Sequence, residues 1–290
     1  MKLVSFSLEE GNKYFGRVDG GPRFFIGRRV TYKGRKGLLN LSGTDAQRYD
    51  PSDFRPSVGI WADFIAPTAA AEGALYHTLN TYDRARFTFA FLQFAAHVPN
   101  GDFVKYMRAL LGLPLAVEYF PDLVLRDGRI CRLLDGDAAP EPLESDASTE
   151  GLMDYLNPSS DEVEDTEVIQ AAKFVHWAQN DAEHRRVQIE SGVANFRAAM
   201  VSYAKSYGLD GADDTICLLV ADIRHQGRAG SAAIVAALAS AKPFEALLQL
   251  GEPEYHERVL TLRREIKKAV ADGRLGNFKY SLAQKDFVPK

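Results

Sequence analysis

Glu72-Gly73-Ala74-Leu75-Tyr76-His77-Thr78-Leu79-Asn80-Thr81-Tyr82-Asp83-Arg84-Ala85-Arg86-Phe87-Thr88-Phe89-Ala90-Phe91-Leu92-Gln93 is the stretch that decides how the rest of the chain is understood. Upstream of it, Val58, Ile60, Trp61, Phe64 and Ile65 recur at helical spacing. Pro67 breaks or kinks that run, Thr68 can cap a new turn, and Gly73 ends the helix just after Glu72. Within the stretch, residues 74–81 and 86–94 are strand-like segments joined around Tyr82-Asp83-Arg84-Ala85. A helix end therefore hands over to a β-hairpin.

That order places chemistry. A carboxylate at a helix C-terminus feels the negative end of the dipole, and three alanines with neighbouring aromatics desolvate it. Both effects favour the protonated carboxyl that a general acid requires at neutral pH. A second carboxylate, Asp83, follows eleven residues on at the hairpin tip, and Thr88 on the returning strand can hold a water. Two carboxylates with room for a water are what glycosidic hydrolysis needs. On spacing alone, an exposed hairpin Asp such as Asp83 is more usually a turn former.

The succession Glu-Gly, an aromatic and an Asp in a hairpin, then aromatic-Thr-x-small resembles the catalytic stretch of phage-type lysozymes and the related chitosanases. The resemblance covers about 22 residues closely and the helical remainder in outline. It implies Glu72 as general acid, Asp83 as the second carboxylate and Thr88 as the residue positioning the attacking water. It further implies Asn80, Tyr82 and Gln93 along the groove, and inversion at the anomeric carbon. Ala90 departs from the pattern: the family usually has Gly there, and an extra methyl would narrow the groove or demand a backbone shift.

Working outward, residues 1–47 form short strands and turns. Val4-Ser5-Phe6-Ser7-Leu8 alternates with period two, and Asp19-Gly20-Gly21-Pro22 is a turn before Arg23-Phe24-Phe25-Ile26. Arg28, Arg29, Lys33, Arg35 and Lys36 surround Tyr32; contact with nucleic acid is one account of such a run, and solvated strand edges protected by charge are the commoner one. After the hairpin, a helical pattern begins near Asp102. Helices are then expected at about 161–182, 190–207, 213–223, 229–241 and 254–272, with Thr215-to-Ile223 apolar on nearly every side and so buried in a bundle. The expected fold is α+β and mostly helical: a lysozyme-like domain over 48–290 with a small hairpin lobe and a helical lobe, preceded by a β-rich segment over 1–47.

Asp222-Ile223-Arg224-His225-Gln226-Gly227-Arg228 ends the buried helix. Cationic side chains there cap the helix dipole, or Arg224, His225 or Gln226 reaches the sugar groove. Between Asp135 and Glu167 lie twelve of the 39 acidic residues and no Lys or Arg, leaving 27 acids against 35 bases elsewhere. With its prolines and serines, this stretch at about 134–165 is expected to be an insertion, a mobile loop or a lid; the basic remainder suits an anionic polymer such as cell wall or nucleic acid, or is unremarkable beside one acidic loop.

Cys131 and Cys217 do not make a disulfide framework, and the six His show no metal spacing; His176 and His184, with Asp181 and Glu183, fit a polar helix surface. With neither a phosphate loop nor a dinucleotide fingerprint, no cofactor is expected. The N-terminus MKLVSFSLEEG lacks the apolar core of a signal peptide, and no apolar run approaches ~20 residues. The expectation is synthesis in the cytoplasm and action on cell wall after non-classical export or lysis, with an immunity or export protein as partner and no nucleic acid. Three functions stay open: a muramidase of phage or antibacterial-effector type, a chitosanase-type hydrolase, and a module that binds glycan or a partner without cutting.

Overall fold

The computed structural model describes residues 1–42, 47–136 and 138–290; the rest of the N-terminal segment (43–46) and of the acidic stretch (137) lie outside the described residues. Four strands come first: β1 (Val4–Glu9), β2 (Lys13–Val18), β3 (Phe24–Tyr32) and β4 (Arg35–Asn40). A 3-10 turn at Pro51–Asp53 leads into α1 (Arg55–Val58) and α2 (Ile60–Ala71). The hairpin region supplies the two-residue strands β5 (Leu79–Asn80), β6 (Thr88–Phe89) and β7 (Phe94–Ala95). Then follow α3 (Asp102–Leu111), α4 (Ala116–Tyr119), β8 (Leu123–Arg126), β9 (Arg129–Arg132) and β10 (Glu141–Pro142). Helices α5 (Glu150–Leu156), α6 (Asp165–Asn180), α7 (Ala182–Tyr207), α8 (Asp214–Gln226), α9 (Ser231–Leu238), α10 (Pro243–Leu248) and α11 (His256–Ala271) precede a last hairpin, β11 (Phe278–Ser281) with β12 (Asp286–Pro289). The fold is mixed α+β and rich in helix, as the patterning indicated. No helix among the described residues is long and apolar enough to cross a membrane.

Two compact units divide the chain, one holding residues 1–48 and 75–191, the other 49–74 and 192–290. The chain passes from the first unit to the second after Arg48, returns to the first at Leu75 and enters the second again at Gly192. Strands β1 to β7 form one antiparallel sheet in sequence order, with β4 paired directly to β5 through Leu39–Asn80 and Asn40–Leu79. The N-terminal strands and the hairpin are one sheet in the first unit, larger than the small hairpin lobe foreseen. The reason is local: at Gly37 a Cβ would sit 2.7 Å from the backbone of Thr81 and Tyr82, so only glycine admits this approach. The β3–β4 turn is tight, with Lys33 (φ 50) and Gly34 (φ 82) both left-handed, as two-residue hairpin loops of the right twist require.

One face of this sheet buries Ile26, Leu38, Leu79, Phe89 and Phe94. An aromatic core adjoins it, in which Phe87, Phe89, Phe103, Tyr106 and Phe120 surround Phe174 of α6. His184 is fully buried there beside Tyr106, and burial pushes its pKa down to about 3, so it is a neutral core histidine and not part of a polar surface.

The described residues of the acidic stretch are tied into the first unit. Leu143, Leu152, Met153, Tyr155 and Leu156 are buried, and Glu144 is bridged to Arg108 (2.7 Å) and Arg129 (3.2 Å) while accepting from the Ile130 N–H. Asn157 Nδ2 donates to the carbonyls of Thr81 and Arg86, and Arg86 donates back to the Asn157 carbonyl and to Glu150 and Asp154. A charged segment folds here because body arginines neutralise it. The segregation of charge seen along the sequence is thereby partly cancelled in space.

In the second unit, α2 runs through Pro67 without breaking. Trp61, Ala62, Phe64, Ile65, Pro67, Thr68 and Ala69 are all buried, and α2 packs on α8 and α11, so tertiary burial outweighs the missing backbone bond. Helix α8 is buried from Cys217 to Ile223 and stops at Gly227, which adopts the left-handed conformation of a helix C-terminal cap.

Candidate active site

Glu72 caps the C-terminus of α2, its N–H donating to the carbonyls of Thr68 and Ala69. Gly73 (φ 91) and Ala74 (φ 58) then turn the chain away, which leaves the Glu72 side chain at the helix end. It does not lie among alanines and aromatics alone: its carboxylate accepts from Nη1 of Arg258 on α11. Arg258 Nη2 in turn donates to Asp222 on α8 at 2.7 Å, and Asp222 is also bridged to Arg228, whose Nε donates to the Leu250 carbonyl at 2.9 Å. The result is a chain of alternating charge, Glu72–Arg258–Asp222–Arg228. Its inner side chains, Asp222 and Arg228, are 0% exposed, while Glu72 at its outer end keeps 10%.

Charges this deep are retained only when each has a partner. Burial alone would push the Asp222 carboxyl up, but the Arg258 and Arg228 guanidiniums outweigh it and hold Asp222 below the usual carboxylate range. Burial likewise works against the cation of Arg258, and Asp222 with Glu72 reverses that and raises it. Arg228 is lowered by burial in spite of Asp222. The chain fixes the Glu72 carboxylate through a forked guanidinium that is itself clamped from behind.

The first unit holds the other expected residues. Asn80 of β5 pairs with Thr88 of β6, and Thr88 with Ala95 of β7, so Asn80 and Thr88 lie side by side on one sheet face. Thr88 is 4% exposed, and its Oγ1 has no hydrogen-bond partner among the described residues. Asp83 accepts from Asn80 Nδ2 at 3.0 Å through one oxygen and from the Ala85 N–H at 2.8 Å through the other. It is thus both a turn former and the neighbour of Asn80, with lone pairs left on each oxygen for a further donor. Tyr82 is half-buried with its ring edge against Tyr32, centroids 6.0 Å apart. Burial, followed by Asp83 and Tyr32, raises its phenol pKa. Gln93 is partly exposed and sits at φ 53.

Ala90 lies at φ 82, a region that disfavours L side chains, and is fully buried. The residue that departs from the family pattern occupies the backbone conformation that glycine would adopt without strain.

The structure brings Asn80, Asp83 and Thr88 together on one hairpin and gives Glu72 partners of its own in the second unit. Arg224 is exposed on the last turn of α8 and takes no part in the buried chain. Its neighbours Asp222 and Arg228, which bracket the same heptapeptide, do. Arg258 and Asp222 were not anticipated, although one signal was present: a carboxylate inside Cys217-Leu218-Leu219-Val220-Ala221-Asp222-Ile223 demands a buried cation. Among the described residues no group of His, Cys, Asp or Glu converges as a metal site. The chain matches no family model, no curated protein and no solved structure.

Proposed function

We propose that this protein is a glycoside hydrolase acting on a β-1,4-linked amino-sugar polymer, with peptidoglycan as substrate. In this reading Glu72 is the general acid, and Asp83 and Thr88 hold the attacking water, which corresponds to inversion. The observation that carries it is the buried Glu72–Arg258–Asp222–Arg228 chain. Three helices converge to build it, it costs desolvation of four charges, and the group at its outer end is the carboxylate that the sequence pattern singles out. Recessed Thr88, in register with Asn80 and with an unpartnered hydroxyl, supports the water-holding role.

The test is release of reducing ends from purified sacculi and, in parallel, from chitosan, by the parent protein and by Glu72→Gln, Asp83→Asn and Thr88→Val. The reading expects loss of about 10³-fold or more in Glu72→Gln, the scale of removing general-acid catalysis together with its charge. Equal rates for parent and Glu72→Gln would remove Glu72 from the mechanism. Turnover of chitosan in preference to sacculi would move the substrate class. A non-cutting glycan module is the second reading, favoured by the local engagement of both Asp83 oxygens and by the strained Ala90. Binding to sacculi with no hydrolysis of either polymer by the parent protein would establish it.

A further inference from the structure

The pairing register joins the N-terminal strands to the candidate site on one surface. In antiparallel strands directly opposed residues share a face, and so do residues two apart along a strand. Arg28 of β3 opposes Leu39 of β4, Leu39 opposes Asn80 of β5, and Asn80 opposes Thr88 of β6. This row crosses four strands, roughly 14 Å at about 4.8 Å per strand. Four residues beyond Arg28, Tyr32 lies on the same face opposite Arg35. Tyr32 is 52% exposed, its ring meets the edge of Tyr82, and the Lys33 ammonium lies 5.2 Å from its centroid. Arg28, Lys33 and Arg35 are exposed and have no ion-pair partner among the described residues, unlike Arg86, Arg108 and Arg129, which the acidic stretch neutralises.

An exposed aromatic ring at a two-residue turn, Lys33 and Arg35 next to it, Arg28 farther along the same strand face, and a continuous sheet face leading to Asn80 and Thr88 have the chemistry to hold an anionic sugar polymer. The ring presents an apolar surface to the face of a pyranose, and the cations match carboxylates along the chain. We propose that the β3–β4 hairpin is an outer glycan-binding subsite, with Tyr32 as its stacking platform and Arg28 and Arg35 selecting a carboxylate-bearing amino-sugar polymer over a cationic one. The inference rests on the glycan reading above and assigns residues 1–40 a part in choosing substrate.

The experiment uses the full chain in the Glu72→Gln background, so that polymer is bound without being consumed, and measures co-sedimentation with purified sacculi and with insoluble chitosan at two salt concentrations. Tyr32→Ala is expected to raise the half-saturating sacculus concentration about tenfold, the scale of losing one aromatic anchor, while Tyr32→Phe binds like its parent. The double variant Arg28→Ser/Arg35→Ser is expected to weaken binding to sacculi, flatten its salt dependence and narrow the preference over chitosan. Sacculus binding unchanged in both Tyr32→Ala and the double variant would overturn the proposal and leave the turn as a solvated strand end. Should the parent protein cut neither polymer while Tyr32→Ala still loses binding, hydrolysis falls and the subsite stands.

Discussion

Replacing Arg258 by Met keeps the length of the side chain and removes the cation that links Glu72 to Asp222. In the folded protein the Arg258 side chain is 8% exposed and Asp222 0%, so solvent replaces little of what is lost. Breaking a buried ion pair typically costs 3–5 kcal/mol. Here Arg228 still faces Asp222, and Glu72 keeps 10% of its surface, so the expected loss is smaller, about 2–4 kcal/mol. For a chain of this size that lowers the melting temperature by roughly 3–7 °C. The catalytic effect should be larger in proportion. Without Arg258 the Glu72 carboxylate loses its charged anchor, and a displacement of about 1 Å from productive geometry costs on the order of 100-fold in rate. Arg258→Lys should fall between, because a point charge cannot fork to both carboxylates as a guanidinium does. A cycle comparing Arg258→Met, Asp222→Leu and the double variant separates the coupling from the packing, and thermal melts with sacculus hydrolysis are the two readouts. If Arg258→Met melts within about 1 °C of the parent, or if the double variant is merely additive, the buried chain is not what holds this end of α2.

Glu167 yields a pH prediction. Burial raises its pKa to about 7, against the hydrogen bonds from Thr81 and the backbone, which lower it. The unfolded chain gives up this proton near 4.5 and the folded one near 7, so stability falls as pH rises through that window, by about 3 kcal/mol in all. Glu167→Gln should therefore melt higher than the parent at pH 8 and equal to it at pH 4, by calorimetry at the two pH values. Gly37→Ala forces a methyl against the Thr81–Tyr82 backbone and should destabilise the first unit by about 1–3 kcal/mol, read as a shifted urea midpoint. At Ala90, glycine relieves about 1–2 kcal/mol of left-handed strain while adding chain entropy and losing one buried methyl, so Ala90→Gly should stay within about 1 kcal/mol of the parent. Ala90→Val, β-branched at φ 82 and fully buried, should lose more than about 2 kcal/mol by the same denaturant measurement.

What could be foreseen from the residues was what short-range periodicity encodes. Asp102 opens α3 where the helical pattern begins, α8 is buried on nearly every side as its apolar run required, and α2 ends at Glu72. The misses share a cause, which is that the deciding partner is remote. Pro67 looks like a breaker until α8 and α11 cover the helix that contains it. The acidic stretch reads as poor in core-forming residues, and the arginines that meet it are remote, 36 to 71 residues away in the chain for the bonds from Arg86 and Arg108. The strands of 1–40 look like an appendage until Gly37 lets β5 approach.

Glu72 makes the same point for the site. Its place at a helix end and the hairpin after it are local facts, and the sequence displays them. Its guanidinium partner is 186 residues away, and nothing in the 22-residue stretch points to position 258. The readable clue lay on the other side of that arginine. A lone carboxylate in the apolar run of α8 is affordable only beside a cation, and an arginine there can serve a second carboxylate with the rest of its fork. In the proposed reading, the acid takes its geometry from the helices of the second unit that hold Arg258 and Asp222. Substitutions at Asp222 or Arg228, with no contact to any sugar, should therefore impair turnover in step with stability. Substitutions at Tyr32 should impair binding alone. Those two classes of variant separate the anchoring of the acid from the recognition of the polymer, and a protein in which they behaved alike would not be built as proposed.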